Sequence, residues 1–351
     1  SSSLRENRLE LLGSVCWSLS PPSLAPPPRF HTTSTESSAQ PPMGWQANAD
    51  WISVLSSRLW DMPLHHLSIP GSHGTMIYCL NKKSQEVSHK ESRLLQLLGK
   101  VLPCVTLPMV LKWSTTQEFI YAEHHEAAGC WWEDLWMAHM EEGTERSLHS
   151  VHMVYMMALM EKALTEILEW LENHPQEVVI LVCRNFKGMM EDLHEYLMGC
   201  IENILGDMLC PRGKVPTLHQ LWSQGQQVIL SYKDKTSMSQ HAELWPSIPY
   251  WWGDQLEPQD FVHCLECMKS CSHPGRLFMA GINLTENLEF ICIHLSVEKL
   301  AQWGLPYLCA WVGGQHPGSA AGCTNTIAGH FIWADGFVGD HHQVELEAAS
   351  G

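Results

Sequence analysis

A chain of 351 residues with 45% apolar side chains can bury one large core, and I-to-V-rich short runs within it point to a mixed α/β protein. Its 38 acidic residues outnumber the 21 basic ones, for a net charge of −17, which argues against nucleic acid as a partner and gives no polybasic footing on anionic lipid. Any membrane contact is therefore expected to be transient, and no apolar run reaches the roughly 18 to 20 residues of a membrane helix.

In chain order, residues 1–42 are rich in Ser and Pro and read as a disordered extension. The apolar stretch 9–17 is short, contains Glu10 and runs into prolines, so no signal peptide is expected, and Met43 makes a plausible start. From Trp51 onward, short apolar runs alternate with helical periodicity. Strands are expected at 67–70, 178–184, 227–232, 277–282 and 326–332, and helices over 154–173 and 190–205. That alternation implies a parallel barrel or a doubly wound sheet, and periodicity does not choose between them. The folded domain is taken as 43–340 and the charged end, 341–351, as a frayed tail.

The thirteen cysteines are scattered through apolar stretches such as Val182-Cys183-Arg184 and Phe290-Ile291-Cys292, which reads as reduced thiols in a cytoplasmic protein. The sequon Asn283-Leu284-Thr285 is then expected to be unused. His263, Cys264, Cys267, Cys271 and His273 hold enough thiolate and imidazole for zinc. The three cysteines also have the spacing of one apolar helix face, and no second pair completes a finger-like set. Packing is the preferred reading, and no metal is expected there.

The strongest local signal is Leu67-Ser68-Ile69-Pro70-Gly71-Ser72-His73, a strand that breaks at Pro-Gly and delivers a histidine just past its end, where barrel enzymes keep catalytic groups. A second candidate is His152, within Leu148-His149-Ser150-Val151-His152-Met153. The tryptophans, Trp131-Trp132 and Trp251-Trp252 among them, read as residues of a barrel core or rim, with an exposed aromatic lip as the alternative.

Five separated segments, 67–76, Trp113-Ser114-Thr115-Thr116-Gln117, 178–186, Tyr250-Trp251-Trp252-Gly253 and 328–338, together resemble the phosphatidylinositol-specific phospholipase C X domain-containing family over residues 49–340. The resemblance implies an irregular TIM-type parallel (β/α) barrel, with the Trp251-Trp252 pair of its motif at the rim of the pocket. It also implies a phosphoric diester hydrolase acting on phosphoinositides, with an inositol phosphate head group as ligand. In such enzymes one histidine takes the proton of the attacking inositol hydroxyl and another protonates the leaving oxygen, since imidazole titrates near neutral pH. By position His73 resembles the base and His152 the acid. Asp134 and Arg184 fall where the family binds substrate, although Arg184 reads equally well as a rim salt bridge.

The departures from that pattern concern the groups that support the histidines. Gly74 stands where the family has an Asp after Ser-His. Gly129-Cys130-Trp131-Trp132-Glu133-Asp134-Leu135-Trp136 replaces Gly-x-Arg-x-x-Asp-x-Arg, so Trp131 and Trp136 stand for arginines. His330 stands for the Asp that orients the base, in Ala328-Gly329-His330-Phe331. An indole offers one N–H and no charge, and a second imidazole repels the first once both are protonated. Acid–base help is worth roughly 10² to 10⁴ and a charged transition-state donor roughly 10² to 10³, so a deficit of about 10⁴ follows if both fail. Calcium is not expected as a substitute, because Asp134, Glu133 and Asp335 fall short of its six or more oxygens. Three readings stay open: an impaired phosphodiesterase, a barrel that binds a head group without cleaving it, and a degraded copy without function.

Overall fold

The computed structural model describes residues 50, 52–53, 55–74, 132–139, 148–152, 154–271, 273–285 and 296–330. Trp131, Asp335, the 113–117 segment, residues 1–42 and the tail 341–351 lie outside them. Two 3₁₀ turns, Ser57–Leu59 and Leu64–His66, lead into β1 (Ile69–Ser72). Then come β2 (Trp132–His139), β3 (Leu148–His152), β4 (Val154–Leu159), α1 (Met160–Asn173), β5 (Val179–Lys187) and α2 (Glu191–Leu205). After these follow α3 (Leu218–Ser223), β6 (Val228–Tyr232), α4 (Lys235–Gln240), β7 (Leu244–Trp245) and β8 (Tyr250–Trp251). The chain continues through α5 (Pro258–Met268), β9 (Met279–Gly281), α6 (Val297–Gly313) and β10 (Thr326–Gly329).

Eight of the strand segments form one path in the order β7-β6-β5-β2-β1-β10-β9-β8, and every pairing along it is parallel. The ends of that path explain its closure. β7 pairs with β6 and β8 pairs with β9, both in the common direction, and only residues 246–249 separate them. Four residues cannot reverse the chain twice. Residues 244–251 therefore act as one interrupted strand, its first half on β6 and its second half on β9, and the sheet is an irregular parallel α/β barrel.

Alternation along β5 sorts its side chains onto two faces. Val178, Ile180 and Val182 point to the inner face, where the register sets them with Ile69, Ile229, Met279 and Ala328. Val179, Leu181 and Cys183 pack outward against α1 and α2. The buried stripe of α1, with Ala163, Leu164, Ile167, Trp170 and Leu171, and that of α2, with Leu193, Leu197, Met198 and Ile201, have the spacing of helices lying on a sheet.

The barrel floor is held by polar side chains that bind backbone. Asn325 donates to the carbonyls of Leu64 (2.9 Å) and Leu67 (2.8 Å), and its own carbonyl accepts from Phe278 N–H. Gln227 donates to the carbonyls of Leu171, His174 and Glu177. The Glu177 carboxyl accepts from Ile52 N–H at 3.0 Å. Burial pushes the Glu177 carboxyl up to about 8, against a smaller lowering from the Ile52 hydrogen bond.

Three expectations change. Residues 154–159, expected to begin a helix, form β4, which pairs antiparallel with β3, and the helix starts at Met160. The apolar run Val154-Tyr155-Met156-Met157-Ala158-Leu159 fits either period, and a free hairpin edge decides it. The first strand spans 69–72 rather than 67–70, because Asn325 takes the Leu67 carbonyl and the ladder opens with Ile69 N–H donating to Asn325 O. Pro70 and Gly71 thus lie inside the strand, and the chain turns instead at Gly74, whose φ is +69°. The cysteine face of α5 is not its packing face: the helix buries Phe261 and Leu265, and Cys267 is exposed.

Candidate active site

The mouth of the barrel is built by the residues that directly follow or end its strands. His73 follows β1 and is buried, with its backbone N–H donating to Gly329 O at 3.0 Å. β1 and β10 run in register with Ser72 beside Gly329, so His330 is the next residue on the neighbouring strand. The two imidazole rings lie 5.0 Å apart at 38°. Trp136, on β2, meets the His73 ring edge-on at 5.7 Å and 86°. Packed in this way, the indole forms part of the wall of the site.

Arg184 stands beside Trp136 in the β2–β5 register. Its guanidinium lies over the Tyr250 ring, 4.2 Å from the centroid, which is a cation–π contact. The same ring stacks on His73 at 5.7 Å and 27°. His73, Trp136, Arg184, Tyr250 and His330 thus come from five strand positions to one end of the barrel. Ring contacts fix the plane of an imidazole, but they supply no carboxylate to choose its tautomer or to stabilise its charged form.

The backbone register also locates the other two candidates. Asp134 lies one residue past the Ser72–Glu133 pair on β2, at the level of His73 on β1. His152 ends β3, which runs back along β2 from His139 and pairs Ser150 with Met137. The other edge of β2 is taken by β5, so β3 and β1 share one edge and the end of β3 approaches the end of β1. Glu133 is wholly buried, and strand alternation puts it on the face of Leu135 and Met137, which pack outside the ring. It is therefore turned away from the face that carries Trp136.

Sequence reasoning singled out Trp251 and Trp252 as the pocket rim, and the structure corrects this. Trp251 is buried in the core against Phe278 at 4.6 Å and His273 at 5.6 Å. Its predecessor Tyr250 faces the site, as alternation on a two-residue strand requires. Trp252 is partly exposed and donates its indole N–H to Asn283 O at 3.0 Å. Asn283 itself is 7% exposed, which leaves no room for a glycan at the sequon. Tyr250 was marked in the sequence only as the first residue of the Tyr250-Trp251-Trp252-Gly253 segment, without a role of its own.

Among the described residues, the group able to hold a metal is Glu202, His241 and Glu243, with ligand atoms within 4.8 Å of one another. It lies near the end of α2 and before β7, at the floor end of the barrel, and so takes no part in the mouth. Cys264, Cys267 and His263 belong to no such group; Cys267 Sγ is 3.9 Å from His263 Nε2 on the same helix. The eight cysteines among the described residues are free thiols. No helix among those residues is long and apolar enough to cross a membrane.

No family model matches the chain. Over 296 residues it is 63% identical to the PI-PLC X domain-containing protein 1 of Homo sapiens, covering 84% of this chain and 91% of that protein. It is 52% identical over 337 residues to the protein of the same name from Mus musculus, covering 95% of each. Among solved structures it is similar to the phosphatidylinositol-specific phospholipase C of Listeria monocytogenes, with a TM-score of 0.56 at 17% identity over 85% of this chain and 98% of that one. A Staphylococcus aureus phosphatidylinositol-specific phospholipase C gives a TM-score of 0.57 at 13% identity, over 86% and 98%. The bacterial structures share the barrel fold, and the identity and coverage of the mammalian relatives establish that the chain belongs to the PI-PLC X domain-containing protein family.

Proposed function

We propose that the barrel mouth binds the inositol phosphate head group of phosphoinositides and cleaves the phosphodiester only slowly. In this reading His73 is the base and His152 the acid, while Arg184 and Asp134 hold the head group. The observation that carries the impairment is the His330 ring 5.0 Å from His73, where the family pattern has a carboxylate. An imidazole there holds His73 without supplying the negative charge that an imidazolium needs. Trp136 likewise fills the place of an arginine with a neutral edge against His73. No metal enters the proposal. The protein works in the cytoplasm and meets the membrane transiently, consistent with a net charge of −17.

The test is release of water-soluble inositol phosphate from phosphatidylinositol vesicles by the full chain, beside a variant carrying Gly74→Asp, Trp136→Arg and His330→Asp. Gly74 has φ +69°, a conformation that Asp tolerates better than most side chains. The restored variant is expected to be faster by roughly 10² or more. Equal turnover by the two proteins sinks the account of the missing supports. Head-group affinity without turnover in the unaltered chain marks a binder, and neither affinity nor turnover in either protein overturns the proposal.

A further inference from the structure

Tyr250 has no assigned part in the chemistry above, yet it is the group at the mouth in contact with both Arg184 and His73. Building on the head-group reading, we propose that Tyr250 is a positioning residue, a clamp that holds the Arg184 guanidinium beside His73 and so sets affinity for a phosphorylated inositol.

Backbone pairing and side-chain contacts on the β9 side fix the tyrosine. β8 is two residues long and pairs with β9, Tyr250 opposite Met279 and Trp251 opposite Ala280. The Tyr250 ring reaches across the next residue of β9: a Cβ added at Gly281 would collide with its hydroxyl and ring carbons. Only glycine leaves that space open. The hydroxyl accepts a long hydrogen bond from Asn283 Nδ2 at 3.5 Å. Asn283 is in turn buried, and its carbonyl is held by the Trp252 indole. The ring is thereby placed from the β9 side before any ligand arrives.

What the ring then holds follows from its chemistry. A guanidinium is planar and weakly hydrated, so it stacks on an aromatic face. Arg184 comes from β5 and His73 from β1, and these strands are separated by β2 in the sheet. Tyr250 comes from the far end of the strand order, so its contacts with both close the mouth across the barrel. A long arginine side chain loses rotamer freedom when it binds a phosphate, and one already stacked has lost that freedom in advance. The stacking needs the ring alone, and the hydroxyl serves only to anchor it.

The experiment uses the full chain with isotopically labelled arginine, first without ligand. The Arg184 side-chain proton signals are expected upfield, in the ring current of Tyr250, and are expected to move to ordinary positions in Tyr250→Leu. Affinity for myo-inositol 1-phosphate is then measured by calorimetry. Tyr250→Leu is expected to weaken it roughly fivefold or more, the scale of a partly desolvated cation–π contact. Tyr250→Phe, which keeps the ring, is expected to rescue it to within about twofold. Adding Tyr250→Leu to Arg184→Met is expected to cost nothing further, because a clamp without its cation has nothing to hold. Ordinary Arg184 shifts in the wild-type protein overturn the clamp whatever the protein binds, and this reading stands even if Tyr250→Leu fails to fold. A further loss in the double variant overturns it as well. Shifted Arg184 signals in a protein that binds no inositol phosphate instead overturn the head-group reading and leave the clamp in place.

Discussion

The floor and the mouth of this barrel are both built from polar residues, but they use them differently. At the floor, Asn325, Gln227 and Glu177 each aim hydrogen bonds at backbone groups of distant segments. Such bonds are directional and buried, so breaking one strands a partner. At the mouth, His73 meets Trp136, Tyr250 and His330 through ring contacts. These contacts fill space and fix ring planes. The contrast teaches that the fold and the chemistry of this chain rest on separate groups, so the first can persist where the second is weakened.

The comparison is broken most directly at the floor. Asn325→Ala leaves the carbonyls of Leu64 and Leu67 and the N–H of Phe278 without their side-chain partner, and should cost roughly 3 kcal/mol or more. Urea unfolding measures this; a change under about 1 kcal/mol would mean that water replaces the amide and the floor is not a fold determinant. At the mouth, His330→Asp should raise turnover on phosphatidylinositol vesicles by about 10², with little change in the unfolding midpoint. An unchanged rate with full folding would show that the imidazole is no handicap.

Glu177→Gln sharpens the floor side of the contrast through pH. The folded carboxyl titrates at about 8, against 4.5 for the ordinary group, so between those values the folded protein holds a proton that the unfolded chain has released. Stability from this group is therefore complete below 4.5 and is lost as pH rises toward 8. The slope is at most about 1.4 kcal/mol per pH unit. Gln cannot titrate and keeps an acceptor for Ile52 N–H, so the variant should lose that slope and exceed the wild type above pH 8. Parallel stability–pH curves for the two proteins would refute the buried-acid account. The smallest effect is expected outside both regions: His241→Ala removes the partly exposed 2.8 Å contact to Glu202 and should shift stability by no more than about 1 kcal/mol in urea unfolding.

Much of this was legible in the sequence for local reasons. Strands β5 and β6 announce themselves as short β-branched runs, α2 by its three-and-four spacing, and His73 by its place just past a short strand, although the Pro70-Gly71 pair read as the break lies inside β1. The same local reading assigned residues 154–159 to a helix, and the family-like motif around Trp251 put that residue at the rim. An apolar run carries no period of its own, and a strand of two residues carries no visible alternation.

Sequence alone determined that the chain is an alternating α/β protein with a histidine near a strand end, because hydrophobic period and turn chemistry act over a few residues, while the altered groups around it stood out only against the family resemblance. Only the tertiary structure decided that residues 244–251 bridge β6 and β9, that Tyr250 lies against Arg184 and His73, and that His330 is the ring at the side of His73. Barrel closure brings the ends of strands far apart in the chain to one rim, and that closure is a property of the whole sheet and of no segment within it.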